Sequence, residues 1–376
     1  MSTGTTAGAS RPPFRADHVG SLLRPAAVRD ARAGRVAGEI SAAELRSVED
    51  HEIRRVIEKQ RSVGLQAATD GEFRRSWWHL DFLWGLDGVE RYVTDSGVKF
   101  AATNTRSEGL KVTGKVGLSG THPMVDHFRF VQEHAAGVVP KITIPAPSAI
   151  YGRPITIPID RDVYPDLDEF FADVGRAYRT VVGQFVAAGC RYLQLDEVFI
   201  AMLCDTDYVR AMVERGDDPD KLAVLYGDLI NEAIADVPPD MTITMHLCRG
   251  NYKSTFMGAG SYDAVQEVLF DRIRVNGYFM EYDDARSGTF APLRLLPKDK
   301  RVVLGIMTTK SGRLEGKDEL KRRIDDAAKY APQDQLCISG QCGFASTEEG
   351  NILSEDEQWA KLARLVEVAD EVWNRA

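Results

Sequence analysis

The sequence predicts an α/β fold, a closed (β/α)8 TIM barrel with an insertion after the second strand. The chain has 376 residues, which is enough for one large barrel. Eight apolar runs typical of buried strands alternate along it with helical patterns, as in a parallel barrel. No glycine-rich dinucleotide or phosphate loop follows the first run, which argues against an open doubly wound sheet.

Composition indicates a soluble globular protein. The content is 44% hydrophobic and 27% charged, and no apolar run approaches the roughly 18 residues that indicate a membrane span. A net charge of −9 argues against a nucleic-acid surface, which needs a positive stripe to displace counterions. The predicted partners are therefore small molecules, with no nucleic acid and no membrane.

The first 13 residues differ from the rest of the chain in the structure that they predict. Residues 1–13 are mostly small or polar, so they predict a disordered tail without the apolar core of a signal peptide, and a cytoplasmic protein. Residues 14–376 are predicted to form a single barrel domain. Five cysteines make a disulfide framework improbable for this length, which leaves metal binding or core packing to account for the thiols.

The first two strands are predicted over residues 16–23 and 65–69. Ser41 caps the helix between them, and Glu44 three residues later completes a capping box. Residues 74–116 then depart from alternation and are predicted to form an inserted hairpin. The aromatic residues at 77–84 predict either a lid or a cover for the barrel rim, because large apolar groups in a loop need a packing surface.

Regular alternation resumes after the insertion. The remaining strands and helices are predicted in this order: strand 141–145, helix 167–188, strand 192–195, helix 221–235, strand 242–245, helix 262–269, strand 277–280, strand 302–306, helix 317–330, strand 335–339 and helix 355–373. Polar or metal-binding side chains follow many of these strands, at the end where barrels carry their active sites. They are His18, Glu72, Asp196, His246, Cys248, Glu281 and Cys342.

Four of these residues predict a zinc site. His246 and Cys248 are two positions apart in an extended segment, so their side chains point to the same side. Glu281 and Cys342, at two other strand ends, would complete a set of one nitrogen, one oxygen and two sulfurs suited to tetrahedral Zn²⁺. A thiol that binds such a zinc loses its proton near neutral pH and stays nucleophilic.

The motifs resemble the cobalamin-independent methionine synthases, specifically their catalytic C-terminal barrel and its short stand-alone relatives. The resemblance extends from Phe14 to the C-terminus and depends on six motifs: HVGSLLRP (18–25), DGEFRR (70–75), LDE (195–197), HLCRGN (246–251), EYD (281–283) and QCGFAS (341–346).

The resemblance implies a role for each matched residue. His246, Cys248, Glu281 and Cys342 would bind zinc, and the sulfur of homocysteine would sit on that zinc. Glu72 and Asp196 would hold the amino group of homocysteine, while Val19 and Ser21 would meet its carboxylate. His18 and Lys310 are the candidate catalytic residues.

Three departures from the family pattern concern the methyl donor. The long synthases carry an additional N-terminal barrel that this sequence does not contain. Residues 145–148 read Pro-Ala-Pro-Ser where the family has Asn-Trp, and residues 308–310 read Thr-Thr-Lys where it has Asp-x-His. The expected donor is therefore not a folate triglutamate but a methylated corrinoid protein or a small methyl compound.

The sequence therefore predicts a zinc-dependent methyltransferase that makes methionine from homocysteine. One alternative keeps the zinc and changes the electrophile, as in the epoxyalkane:coenzyme M transferases. Another is a metal-free decarboxylase on the same fold, resembling uroporphyrinogen decarboxylase. The last is a barrel whose zinc is purely structural.

Overall fold

A computed structural model describes residues 11–152 and 157–374. The predicted disordered tail falls mainly on residues 1–10, which lie outside the described residues. Within the described part, the helices are α1 Ala26–Val36, α2 Ala42–Ser62, α3 Leu80–Leu83, α4 Pro123–His134, α5 Leu167–Ala187, α6 Phe199–Met202, α7 Thr206–Arg215, α8 Pro219–Ala233, α9 Lys317–Ala328 and α10 Glu355–Trp373. None of these helices is long and apolar enough to cross a lipid bilayer.

The strands follow the predicted alternation. They are β1 Ala67–Ala68, β2 Asp87–Val93, β3 Glu108–Gly117, β4 Val139–Pro140, β5 Ile142–Pro145, β6 Tyr192–Glu197, β7 Thr242–Leu247, β8 Gly277–Glu281, β9 Arg301–Met307 and β10 Leu336–Gly340. Six of them form one parallel sheet in the order β10-β9-β8-β7-β6-β5. Every residue of β6 and β7 is buried, as expected for strands covered on both faces.

The remaining segments bring the two edges of this sheet together. Strand β4, which is continuous with β5 apart from Lys141, pairs in parallel with β1. At the other edge, Ala16 forms a parallel bridge with Ile338 of β10. The backbone N–H of Leu22 donates to the carbonyl of Gly71 at 3.0 Å, which joins the first segment to the chain after β1. The α/β barrel predicted from the sequence is confirmed.

The first two strands are shorter than predicted because side chains take up their backbone groups. Asp17 accepts hydrogen bonds from the backbone N–H groups of Phe14 and His18, so residues 16–23 pair with β10 only at Ala16. In the same way, the side chain of Gln60 accepts from the backbone N–H of Thr69, which ends β1. Both segments remain buried, so they fill the barrel wall without a regular ladder.

One predicted helix is wrong. Residues 262–269 form a 3-10 turn over Tyr262–Ala264, followed by a π-helical turn over Val268–Arg272, instead of one regular α-helix. The hydroxyl of Tyr278 donates to the carbonyl of Leu269. This carbonyl is therefore engaged by a side chain at the point where the wider turn forms.

The region after β1 contains an antiparallel pair, formed by β2 and β3. Its aromatic residues separate into two groups. Phe82 is fully buried and packs on Tyr178, with ring centroids 5.1 Å apart. Trp77 and Trp78 instead face a cavity at the carboxyl ends of the strands. The aromatic run therefore contributes partly to the core and partly to the wall of a site.

A buried ion pair connects α10 to the loop after β9. The ammonium of Lys361 lies 2.8 Å from Glu315, with side-chain exposures of 0% and 4%. Glu315 also accepts the backbone N–H of Thr308 at 2.9 Å. We expect Lys361→Met to lower the free energy of unfolding by about 3–5 kcal/mol, because it leaves a buried carboxylate without its cation.

Urea denaturation measures this change. The matched control is Lys317→Met, whose ammonium is 37% exposed and pairs with Glu367 and Glu371 on the surface. A surface pair of this kind contributes about 0–1 kcal/mol. Equal losses in the two variants would contradict the prediction.

Candidate metal centre and cavity

Four side chains from three strand ends converge to form a group that could hold a metal ion. The ligand atoms of His246, Cys248, Glu281 and Cys342 all lie within 4.8 Å of one another, and all four residues are buried. His246 lies in β7, Cys248 directly follows it, Glu281 ends β8, and Cys342 follows β10. The parallel sheet makes this possible because it aligns the carboxyl ends of neighbouring strands.

The two thiols of this group are in contact. The sulfur atoms of Cys248 and Cys342 lie 3.5 Å apart. This contact raises the pKa of Cys248 and lowers the pKa of Cys342. His246 also lowers the pKa of Cys342. One of the two sulfurs is therefore favoured as a thiolate.

One oxygen of the Glu281 carboxylate is paired with a cation, and the other has no hydrogen-bond partner. Arg286 lies 3.2 Å from Oε2, whereas Oε1 is buried without a hydrogen-bond partner. Burial raises the pKa of Glu281, against the cations of Lys310 and Arg286, which lower it. Both ring nitrogens of His246 are likewise buried without a hydrogen-bond partner. Unpartnered buried polar atoms carry a desolvation cost that a ligand would relieve.

Tyr262 connects the loop after β7 to the end of β8. Its fully buried hydroxyl accepts the backbone N–H of Glu281 at 3.0 Å and donates to the carbonyl of Leu247 at 3.1 Å. The guanidinium of Arg249 lies 3.8 Å above the Tyr262 ring. Tyr262 thus fixes the position of Glu281 relative to His246 and Cys248.

We expect Tyr262→Phe to weaken metal binding by about 10–100-fold, the usual effect of losing an outer partner of a ligand. The same change leaves two buried backbone groups unpaired and costs about 1–3 kcal/mol of stability. Competition with a chromophoric chelator measures the affinity. Tyr330→Phe is the control, because Tyr330 is 42% exposed. Unchanged affinity in Tyr262→Phe would contradict the positioning role.

The cluster opens onto a cavity with about 790 Å³ of empty space, part of it open to solvent. His246, Cys248 and Cys342 line it together with the predicted substrate residues Val19, Ser21, Glu72 and Asp196. Four aromatic residues also line this cavity, Trp77, Trp78, Phe100 and Tyr252, which we call the aromatic wall. The site residues predicted at strand ends therefore largely surround one cavity.

Glu72 and Asp196 place two carboxylates in this cavity. Thr143 donates to Oε1 of Glu72 at 2.9 Å, and Oε2 of Glu72 is buried without a hydrogen-bond partner. Glu72 has a φ of +62°, a conformation that non-glycine residues rarely adopt and that is enriched at functional sites. Burial raises the pKa of Glu72, against the opposing charge of Arg75.

Asp196 lies in register with His246 in the neighbouring strand. Gln194 donates to its Oδ1 at 2.7 Å. Burial raises the pKa of Asp196 to about 7; His246 opposes the shift and Glu72 adds to it. A cation that bound between the two carboxylates would stabilise their charged forms.

Val19 and Ser21 reach the cavity because the chain passes very close to the loop after β10. The carbonyl of Val19 accepts from Gln194 at 2.6 Å, and the carbonyl of Ser21 accepts from Phe344 at 2.9 Å. A Cβ at Gly343 would lie 1.9 Å from the hydroxyl of Ser21, so only glycine fits there.

The two candidate catalytic residues lie outside the lining of the cavity. His18 is 3% exposed, and both of its ring nitrogens lack a hydrogen-bond partner. Burial lowers the pKa of His18 to about 4, with Lys141 adding to the effect, which favours the neutral imidazole. Lys310 has a buried ammonium without a hydrogen-bond partner, and its charge acts on Glu281, Cys248 and Cys342.

Sequence reasoning missed several residues of the site. Phe100, Asn251, Tyr252 and Ser346 line the cavity, and Arg286 holds Glu281. Asn251 and Ser346 lie inside quoted motifs, so their proximity to the ligands was a usable signal. Tyr252 directly follows the HLCRGN motif, so the same signal was usable for it. Phe100 has no such local signal, since only the fold brings the loop between β2 and β3 over the barrel.

This fold and this site define the class of protein, an α/β-barrel enzyme whose candidate metal ligands lie at the carboxyl ends of its strands. Residues 14–371 match the family model described as the catalytic domain of cobalamin-independent synthases. The chain belongs to this family. It is therefore an enzyme of the methionine synthase-like methyltransferases.

Individual relatives agree with this assignment. Two uncharacterized Bacillus subtilis proteins, YxjH and YxjG, are each 48% identical over 365 residues, covering 96% of this chain and 95% and 96% of theirs. A methionine synthase of Saccharolobus solfataricus is 24% identical over 369 residues, which cover 93% of this chain and 92% of that protein.

Solved structures also share the fold. A structure from Listeria monocytogenes, provisionally assigned as a vitamin-B12-independent methionine synthase, has 38% identity and a TM-score of 0.77, with 96% of this chain and 98% of that chain covered. The structure of a B12-independent methionine synthase from Shewanella sp. W3-18-1 in complex with selenomethionine has 18% identity and a TM-score of 0.72, with 96% of this chain and 98% of that chain covered. At that identity the second likeness concerns the fold alone.

Proposed function

We propose that this protein is a zinc-dependent thiol S-methyltransferase that converts homocysteine to methionine, with a methyl donor other than a folate triglutamate. One observation carries the proposal. Three residues of the four-residue cluster, His246, Cys248 and Cys342, line the same cavity as two carboxylates, Glu72 and Asp196. This arrangement suits a substrate that has a thiol at one end and an ammonium group at the other.

The four side chains fit zinc by chemistry and by spacing. Imidazole, thiolate and carboxylate are its usual ligands, and soft sulfur disfavours magnesium or calcium. Two sulfurs bound tetrahedrally at about 2.3 Å would lie about 3.8 Å apart. The separation of 3.5 Å between Cys248 and Cys342 is close to that value. The unpartnered atoms of His246 and Glu281 would supply the nitrogen and oxygen ligands.

A bound zinc ion supplies a Lewis acid that keeps a coordinated thiol deprotonated, and hence nucleophilic, near neutral pH. The chain's own residues orient the substrate. Glu72 and Asp196 bind its ammonium group, and the segment of Val19 and Ser21 lies beside its carboxylate.

The charges of the cavity argue against the alternative reactions. Coenzyme M carries a sulfonate, which the carboxylates of Glu72 and Asp196 would repel. A decarboxylase that binds several carboxylates needs cationic groups. Of the described residues that line the cavity, none is lysine or arginine.

Proton release tests the proposal directly. The zinc content of the purified protein is measured first, and the protein is then mixed with homocysteine, 4-mercaptobutanoate or coenzyme M. We expect proton release selective for homocysteine, together with methionine formation from at least one of a panel of methyl donors. A zinc-loaded protein that depletes no homocysteine with any donor would contradict the proposed function.

A further inference from the structure

The aromatic wall lines the cavity in which the proposed reaction must bind its methyl donor. The two tryptophans, Trp77 and Trp78, are adjacent in the chain, and the rings of Phe100 and Tyr252 lie 5.6 Å apart by centroid. All four residues line the same cavity as Cys248 and Cys342. A molecule bound in this cavity beside the cluster therefore shares it with four aromatic rings.

The charged groups around this cavity favour cations. Among the described lining residues, the groups that carry charge outside the metal ligands are the carboxylates of Glu72 and Asp196 and, when protonated, the imidazole of His79. Arg106 lies 4.7 Å over the ring of Trp77. Its charge is balanced by Glu108, Glu348 and Glu349, at 3.3, 2.7 and 3.0 Å.

We propose that the methyl donor is a small onium ion, either a methylsulfonium or a methylated quaternary ammonium compound, bound against the aromatic wall. This inference rests on the proposed function and specifies its second substrate. The face of an aromatic ring carries negative potential and attracts methyl groups bound to a positive atom. Since Glu72 and Asp196 hold the ammonium group of homocysteine in the proposed function, the aromatic rings supply the attraction for the donor.

Methyl transfer from an onium ion balances without further groups. The thiol first loses its proton to solvent, and the thiolate then attacks the methyl carbon. The new carbon–sulfur bond takes its electron pair from the thiolate. The pair of the broken bond stays on the donor sulfur or nitrogen, which leaves as a neutral thioether or tertiary amine. The leaving group needs no proton, so the protein need not supply an acid.

The enclosure of the cavity favours a small donor over a macromolecular one. The loop between β2 and β3 extends across the carboxyl ends of the strands, where Ala101 donates its backbone N–H to Phe256 at 2.9 Å. The ion pairs of Arg106 with Glu348 and Glu349 hold the same loop to the chain after β10. These contacts would have to break before a corrinoid ring held by another protein could reach the cluster.

A donor panel tests the inference on the zinc-loaded full chain with homocysteine. S-methylmethionine and dimethylsulfonioacetate represent sulfonium ions, and glycine betaine represents quaternary ammonium ions. Methylcobalamin and methyltetrahydrofolate are the donors without an onium methyl group. We expect methyl-labelled methionine from at least one onium arm and none from the others. Tetramethylammonium should inhibit the reaction competitively with the donor, whereas tert-butanol, its neutral isostere, should not.

Two variants separate ring chemistry from bulk. Trp78→Leu and Phe100→Leu keep an apolar side chain but remove the aromatic face, and we expect each to lower kcat/KM for the onium donor about tenfold. The KM for homocysteine should stay near its original value. Trp78→Phe should retain most of the activity, and Trp359→Leu, on α10 and outside the cavity lining, serves as the control.

The outcomes are distinguishable. Methionine formed only from methylcobalamin or methyltetrahydrofolate overturns the onium donor while the proposed function stands. The role of the aromatic wall is overturned if kcat/KM for the onium donor is the same in Trp78→Leu, Phe100→Leu and Trp359→Leu. Failure of every donor overturns the proposed function together with the inference.

Discussion

Cys342→Ser is expected to remove nearly all zinc from the protein and to lower methyl transfer by more than about 1000-fold. The serine hydroxyl is an uncharged oxygen donor, whereas zinc prefers a thiolate. The remaining three ligands would therefore bind the metal weakly. In the original protein, the 3.5 Å contact with Cys342 raises the pKa of the Cys248 thiol, and the same substitution removes this contact. The measurements are metal content after dialysis and the rate of methionine formation.

Cys337→Ala is the matched control for this variant. Cys337 lies in β10, the strand that precedes Cys342, and is also buried, but it is absent from the four-residue cluster. It should retain zinc and activity. Full zinc content and activity in Cys342→Ser would refute the assignment of Cys342 as a ligand.

Glu72→Gln and Asp196→Asn are each expected to raise the KM for homocysteine by about 10–150-fold. This range corresponds to the 1.5–3 kcal/mol that a hydrogen bond to a charged group contributes. The amides keep the shape of the side chains but lose the charge that attracts an ammonium group. Zinc content should stay unchanged, because neither residue belongs to the metal cluster.

A thiol without the amino group separates this effect from a general disturbance of the cavity. 4-Mercaptobutanoate has the chain of homocysteine without its ammonium group. The original protein should bind it weakly, and the two variants should bind it no worse than the original does. Equal losses for both thiols would mean that the carboxylates support the fold of the site. Unchanged activity with homocysteine would favour the alternative reaction in which these carboxylates are dispensable.

The fold could be predicted well because its signals are local. The predicted capping box of Ser41 with Glu44 forms and begins a long helix. The apolar runs of β6 and β7 are fully buried. The strands at 16–23 and 65–69 were predicted too long, because Asp17 and Gln60 take backbone hydrogen bonds that a pattern of apolar residues does not reveal.

The sequence by itself determined which residue types could act as ligands and the end of the barrel at which they lie. The spacing of His246 and Cys248 and the ends of parallel strands are local properties. Tertiary structure decided which neighbours face the cavity. Asp196 points into it, whereas Glu197 accepts the backbone N–H groups of Phe199 and Ile200. The aromatic wall depends on contacts between residues far apart in the chain, which only the closed fold creates.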